Sequence, residues 1–232
     1  MGQLRFKTII FNFKNLIKFS AYNIKFFRKA LYNYKSNKSL KSFDKLNLNE
    51  NSLFVDLGGN VGLVSQYISD KYNCNILIFE PHPGCFNHLK KIFSKNSKIK
   101  IFNNAISNKS KNVKLYFHKK SISRQDLNFS QAATIEKSKS NIDKKKFIYI
   151  KTINLKKVIE KYKFIDLIKI DIETHEYAIL PIIFKNLKSF GKIYCELHGK
   201  EKKYRHFNKE YKYWVKKLKK KGIYGKQFIE WH

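Results

Sequence analysis

A chain of 232 residues, 43% of them hydrophobic, has the length and apolar content of one globular domain with a sizeable core. Its 49 Lys and Arg against 17 Asp and Glu leave a net charge of +32, which points to an anionic partner: nucleic acid, an anionic membrane or an anionic substrate. Cys74, Cys85 and Cys195 are odd in number and widely spaced, which excludes a disulfide framework and a zinc knuckle and fits a reducing cytoplasm.

Residues 1–50 read as a basic helical arm. Ile10, Phe13, Ile17, Ile24, Phe27, Leu31 and Tyr34 recur at helical spacing, while Arg5, Lys7, Lys14, Lys18 and Lys25 break every apolar run before it reaches signal-peptide or membrane-span length. The stripe fits an amphipathic helix on the anionic inner face of a membrane, and equally an arm packed on the following domain. A polar connection over residues 36–50 then leads into a second region, 51–232.

That region opens on Leu53-Phe54-Val55-Asp56-Leu57-Gly58-Gly59-Asn60-Val61-Gly62, an apolar run of buried-strand type followed by a glycine turn. Val61, Val64, Tyr67 and Ile68 begin a helix. Strand, glycine turn and helix make the nucleotide-binding corner of a doubly wound, mostly parallel α/β sheet. Neither the dinucleotide glycine pattern nor a terminal Gly-Lys-Ser/Thr is present, which leaves the D-x-G-x-x-x-G pattern of S-adenosylmethionine sites. There the glycines are expected to clear room for the ligand alone. A second strand, 75–80, ends on Glu80, about twenty residues past Gly58, where an acid accepts both ribose hydroxyls of a nucleoside. Phe86, Leu89 and Ile92 mark a helix, 99–106 a third strand ending in Asn104 and Ala105, and 113–118 an antiparallel extension.

The stretch 119–146 is long and polar, a length expected of a functional or disordered connection. Strand character resumes over 147–153, and Val158, Ile159 and Tyr162 lie on a short helix. A buried strand over 165–172 runs into Glu173-Thr174-His175-Glu176. The following helix carries Ile179, Leu180, Ile183 and Leu187, with Pro181 in its first turn or kinking it. A strand over 193–197 closes on Glu196 and His198. A last helix (Phe207, Tyr211, Trp214, Leu218) has a lysine-rich face, Gly222 caps it, and 223–231 is expected to form a final strand.

Val55-Asp56-Leu57-Gly58-Gly59-Asn60-Val61-Gly62, Phe79-Glu80-Pro81, Asn104-Ala105-Ile106-Ser107, Leu167 to Glu176 and Glu196-Leu197-His198, in this order, resemble the FkbM family of S-adenosylmethionine-dependent methyltransferases. The resemblance implies a Rossmann-like class I methyltransferase fold and O-methylation of a sugar, glycan or other small molecule. It further implies S-adenosyl-L-methionine as cofactor, cradled by Asp56, Gly58, Asn60 and Gly62, with Glu80 on the ribose and Asn104 and Ala105 bordering the adenine. The family generally has glycine at the position of Thr174, so a turn of different shape is expected. The closing pair of strands is expected to be incomplete, with an exposed edge that invites pairing into a homo-oligomer.

For the chemistry, Asp171, Glu173, Glu196 and His198, with His175, are the candidates for proton transfer, imidazole having the pKa suited to a base near neutrality. The same carboxylates could hold a divalent cation, the weaker reading. Two other functions compete with hydroxyl methylation. One is a nucleic-acid (RNA) methyltransferase, suggested by the C-terminal lysines, though no Asn/Asp-Pro-Pro-aromatic motif is present. The other is a non-catalytic basic module that binds a membrane or nucleic acid.

Overall fold

The computed structural model describes residues 38–231. The helical stripe read over residues 10–34 lies outside the described residues. The described residues up to Asp44 belong to one unit and those from Lys45 onward to another. Among the described residues no helix is long and apolar enough to cross a membrane.

The second unit is built on a six-stranded sheet. Its strands are β1 (Leu53–Leu57), β2 (Asn75–Phe79), β3 (Ile99–Phe102), β7 (Ile165–Ile170), β8 (Phe190–Cys195) and β9 (Phe228–Glu230). Their order is β3-β2-β1-β7-β8-β9, and every neighbouring pair is parallel. Parallel strands joined by helices must be covered on both faces, hence the near-continuous apolar runs. Leu77 and Phe79 of β2 join a cluster with α3 (Leu155–Tyr162), α4 (Glu176–Lys185) and α5 (Asn208–Lys220). Ile78, alternating to the other face, lies against Gly59 and Leu89, on the side of α1 (Leu63–Tyr72) and α2 (Pro83–Ile92). The sheet is doubly wound, as expected from sequence.

A small sheet is appended from β4 (Ala105–Ser107), β5 (Asn112–His118) and β6 (Ile142–Asn154), in the order β4-β6-β5 with β5 antiparallel to β6. The strand expected over 99–106 is thus two strands. Between them Asn103 Nδ2 donates to Glu80 O (3.0 Å) and Asn104 Nδ2 to Lys151 O (3.1 Å), turning the chain from one sheet into the other. β6 begins earlier than expected, because pairing resumes beyond a bulge as Phe117 with Asp143 and His118 with Ile142. The stretch 119–146 is ordered around a 3₁₀ segment, Leu127–Ala132, and bridges back to Tyr116 through Thr134. Pro181 lies inside α4, and Leu187 falls beyond it in a separate 3₁₀ turn. The final strand is only the three residues of β9, with Gly222 and Gly225 at positive φ before it.

Candidate active site

The carboxyl ends of β1, β2, β7 and β8 meet on one rim. At the end of β1, Gly58 takes φ +80°, and its N–H donates to Phe79 O at 2.9 Å. A Cβ at Gly58 would lie 1.8 Å from Asp171 O, and one at Gly59 would lie 2.2 Å from Ile78 Cγ2. The room these glycines provide is therefore taken by the chain's own neighbouring segments, which revises the expectation that they serve ligand approach alone. Asn60, at φ 48°, donates its N–H to Glu80 Oε2 (2.7 Å) and accepts Ser130 Oγ at its Oδ1 (3.1 Å). Gly62, at φ +85°, is the residue from which α1 starts.

Asp56 is wholly buried, pointing from β1 to its neighbour β7. Its Oδ2 accepts Ser65 Oγ at 2.7 Å, and its Oδ1 lies 3.2 Å from Lys169 Nζ. Lys169 Nζ also donates to Gly58 O (2.8 Å) and stands 3.6 Å from Asp171 Oδ2. Burial works against charge on Lys169, but Asp56 and Asp171 together raise its pKa above the usual lysine value. Asp56 thus acts inside the protein, tying the glycine turn to β7.

Glu80 is 5% exposed, and its two oxygens accept the N–H groups of Asn60 and His82, both at 2.7 Å. Burial pushes its pKa up to about 7, and the hydrogen bonds from His82 and Asn60 offset that only in part. Asn104 is placed beside this end of β2 through the Asn103 contact to Glu80 O. The Ala105 side chain turns instead into the small-sheet cluster of Leu115, Phe117 and Ile150.

Around β7 and β8, Asp171 and Glu196 form a carboxyl pair. Burial first and the Asp171 charge second raise Glu196 to about 8, so the pair keeps a proton at neutral pH. His198 is 3% exposed, with Nδ1 3.1 Å from Glu176 Oε1 and Nε2 3.7 Å from Glu196 Oε1. Burial alone would lower its pKa, but Glu176, Glu196 and Glu173 raise it to about 9. Glu173 is ion-paired with the buried Lys139, and its pKa is raised, by burial before anything else. His175 is drawn away from this cluster, between Glu136 and Ser107 Oγ (2.9 Å). Among the described residues no three His, Cys, Asp or Glu side chains are grouped to hold a metal ion.

Thr174 has φ 80° after Glu173 at φ 54°, so the backbone adopts the left-handed turn without a glycine. It keeps the conformation at a cost of about 1–3 kcal/mol per strained residue, and Glu176 Oε1 accepts the N–H of Ile172 (3.1 Å) and of Thr174 (3.3 Å).

Four residues of this site were not singled out from sequence: Lys169, Glu176, Lys139 and Glu136. A lysine within the apolar run of β7 is itself a signal, since a buried lysine requires a partner. Glu176 sits in an acid-rich turn that could have drawn the same attention. Lys139 and Glu136 lie in a polar stretch where nothing distinguishes them from their neighbours.

The family profile of the Methyltransferase FkbM domain matches residues 56–222. Methyltransferase sdnD of Sordaria araneosa is 40% identical over 58 residues, covering 25% of this chain and 22% of that protein. The solved methyltransferase FkbM of Methylobacillus flagellatus KT is 13% identical, with a TM-score of 0.40, over 62% of this chain and 32% of that one. The METTL16 MTase domain is 16% identical, with a TM-score of 0.32, over 75% of this chain and 54% of its own. The chain thus spans less than two thirds of each of these proteins. The matched range takes in the glycine turn, Glu80, the Asp171–Glu196 pair and His198, and the chain belongs to the Methyltransferase FkbM domain family.

Proposed function

We propose that this domain is an S-adenosylmethionine-dependent methyltransferase acting on a hydroxyl of a sugar, glycan or other small molecule. The observation that carries the reading is Glu80. A carboxylate offers roughly four acceptor positions. Backbone N–H groups occupy one on each oxygen, which fixes the group and leaves acceptors for a ribose diol. Asp171 Oδ1, buried and without a hydrogen-bond partner, fits a donor brought by the ligands. The residues present therefore fit the cofactor.

S-adenosylmethionine, when bound, supplies an electrophilic methyl group on a sulfonium. Glu80 holds the ribose, and the turn from Gly58 to Gly62 shapes the adjoining wall. Asp171 accepts the hydrogen bond of the acceptor hydroxyl at Oδ1 and takes its proton as the oxygen attacks. Glu196, raised to about 8 by burial and then by the Asp171 charge, favours its protonated form at neutral pH. His198, one of the five proton-transfer candidates read from sequence, has its pKa raised to about 9 against burial by Glu176, Glu196 and Glu173, which favours the cation at neutrality. Its role is to hold Glu196.

Calorimetry with S-adenosylmethionine tests the reading. Glu80→Ala removes a charged acceptor and should cost about 1.5–3 kcal/mol, a ten- to hundredfold or so loss of affinity. Unchanged affinity would overturn the ribose assignment. Labelled-methyl transfer to lysate fractions split into lipid, glycan and nucleic acid identifies the acceptor. Label in nucleic acid would favour the RNA reading, which draws support from the lysines of α5, among them Lys216, Lys219 and Lys220.

A cytoplasmic enzyme peripheral to an anionic membrane is the placement we propose, on the strength of the +32 charge and the stripe over residues 10–34. Deleting residues 1–34 should then abolish flotation with anionic vesicles. A full-length protein that ignores such vesicles refutes the placement.

A further inference from the structure

Glu176 is fully buried at the start of α4, and one of its oxygens joins two strand ends. Oε1 accepts the N–H groups of Ile172 and Thr174 beyond β7, and it lies 3.1 Å from His198 Nδ1 beyond β8. Two consecutive left-handed residues, Glu173 and Thr174, lie within the turn that this oxygen fastens. Non-glycine residues hold such dihedrals only where their surroundings over-determine them, and strain of this kind clusters at functional sites. The turn begins at Asp171, whose N–H donates to Leu57 O (3.1 Å) and whose carbonyl abuts Gly58. On the far side, the His198 ring stands between Glu176 and Glu196, edge-on to Tyr204 at 4.6 Å, while Tyr177 OH donates to His198 O. The charged groups that face the ring are Glu176, Glu196 and Glu173.

We propose that Glu176 is a positioning residue for methyl transfer: through Oε1 it holds the Glu173–Thr174 turn and the His198 ring together, and so orients the Asp171–Glu196 pair toward the acceptor hydroxyl. The proposal rests on the methyltransferase reading above. Nothing in the geometry brings Glu176 itself to substrate, because its side chain is enclosed. A helix-capping residue would need only the two N–H contacts. The third contact, to an imidazole that itself meets Glu196, is what a cap does not require.

Glu176→Gln separates the two roles, since the amide oxygen can still accept both N–H groups while the charge is gone. Three results are expected. S-adenosylmethionine affinity by calorimetry stays within about twofold of wild type, because Glu80 and the β1 turn are untouched. The transfer rate to the lysate fraction that accepts labelled methyl falls at least about tenfold, with its basic limb moved to lower pH. The His198 titration followed by NMR moves down from about 9. An unchanged rate and basic limb, or affinity falling in step with the rate, overturns the proposal.

Thr174→Gly in the Glu176→Gln background relieves the turn. It should raise the melting temperature without restoring the rate, and a restored rate would reduce Glu176 to a structural cap. A wild-type His198 midpoint below 7 refutes the proposal whether or not either variant folds. If wild type binds no S-adenosylmethionine, the methyltransferase reading fails on its own, and the His198 titration still reports on Glu176.

Discussion

Glu80 carries its charge at the end of β2 in a setting that resists it, with a pKa of about 7. Ribose hydroxyls donate to the ionised carboxylate, so cofactor affinity should be flat above about pH 8 and fall about tenfold for each pH unit well below 7. Calorimetry between pH 5.5 and 8.5 tests this, and a flat profile would move the ribose elsewhere. Gly58, Asn60, Glu80, Asp171 and Glu196 were legible in the sequence for one reason: each follows an apolar run, and ligands of parallel sheets collect at strand ends. What each does there was less legible. Asp56 reads in sequence like the other acids at strand ends, yet it is wholly buried and register sets it opposite Lys169. His198 has a base's reputation but stands among three carboxylates that only the folded chain assembles.

At the scale of elements, the connection 119–146 is fastened to the rim at several points. Ser130 Oγ donates to Asn60 Oδ1, Thr134 Oγ1 to Glu173 O (2.6 Å), and Lys139 pairs with Glu173. Lys139→Met should strand the Glu173 carboxylate. The expected loss is about 3 kcal/mol or less, the lower end for a buried pair because Glu173 keeps some contact with water. Adding Glu173→Gln should recover most of it, and chemical denaturation of the four proteins closes that cycle. No recovery would mean that Lys139 acts by packing alone. Little of this was readable in advance. The pairing partners of the connection are distant in sequence, and Lys144, Lys145 and Lys146, all exposed, conceal the start of β6 because no apolar alternation marks it. The helices and central strands were read well, since their periodicity is local.

Across the whole molecule, Glu80 (about 7), Glu196 (about 8) and His198 (about 9) all have folded-state pKa values above their ordinary ones. Stability linked to such groups is fully present below the unfolded value and is lost as pH rises through the folded one. Buried His82, lowered to about 4, has the opposite sign but has lost its proton in both states by about pH 7.5, so the melting temperature should fall between about pH 7.5 and 9 at fixed ionic strength. A melting temperature that climbs over that range would show that the acid cluster is charged throughout. The order β3-β2-β1-β7-β8-β9 also has a consequence in time. β1 is central, yet Lys169, which reaches back to Gly58, is 111 residues further along the chain. Contacts so remote close late and slow the search for the native state. At a synthesis rate of about 5–20 residues per second, β1 waits roughly ten seconds with one edge bare and Asp56 lacking its cation. For that interval the nascent half-sheet offers an unpaired apolar strand to any chaperone, or to a second nascent chain, that reaches it first.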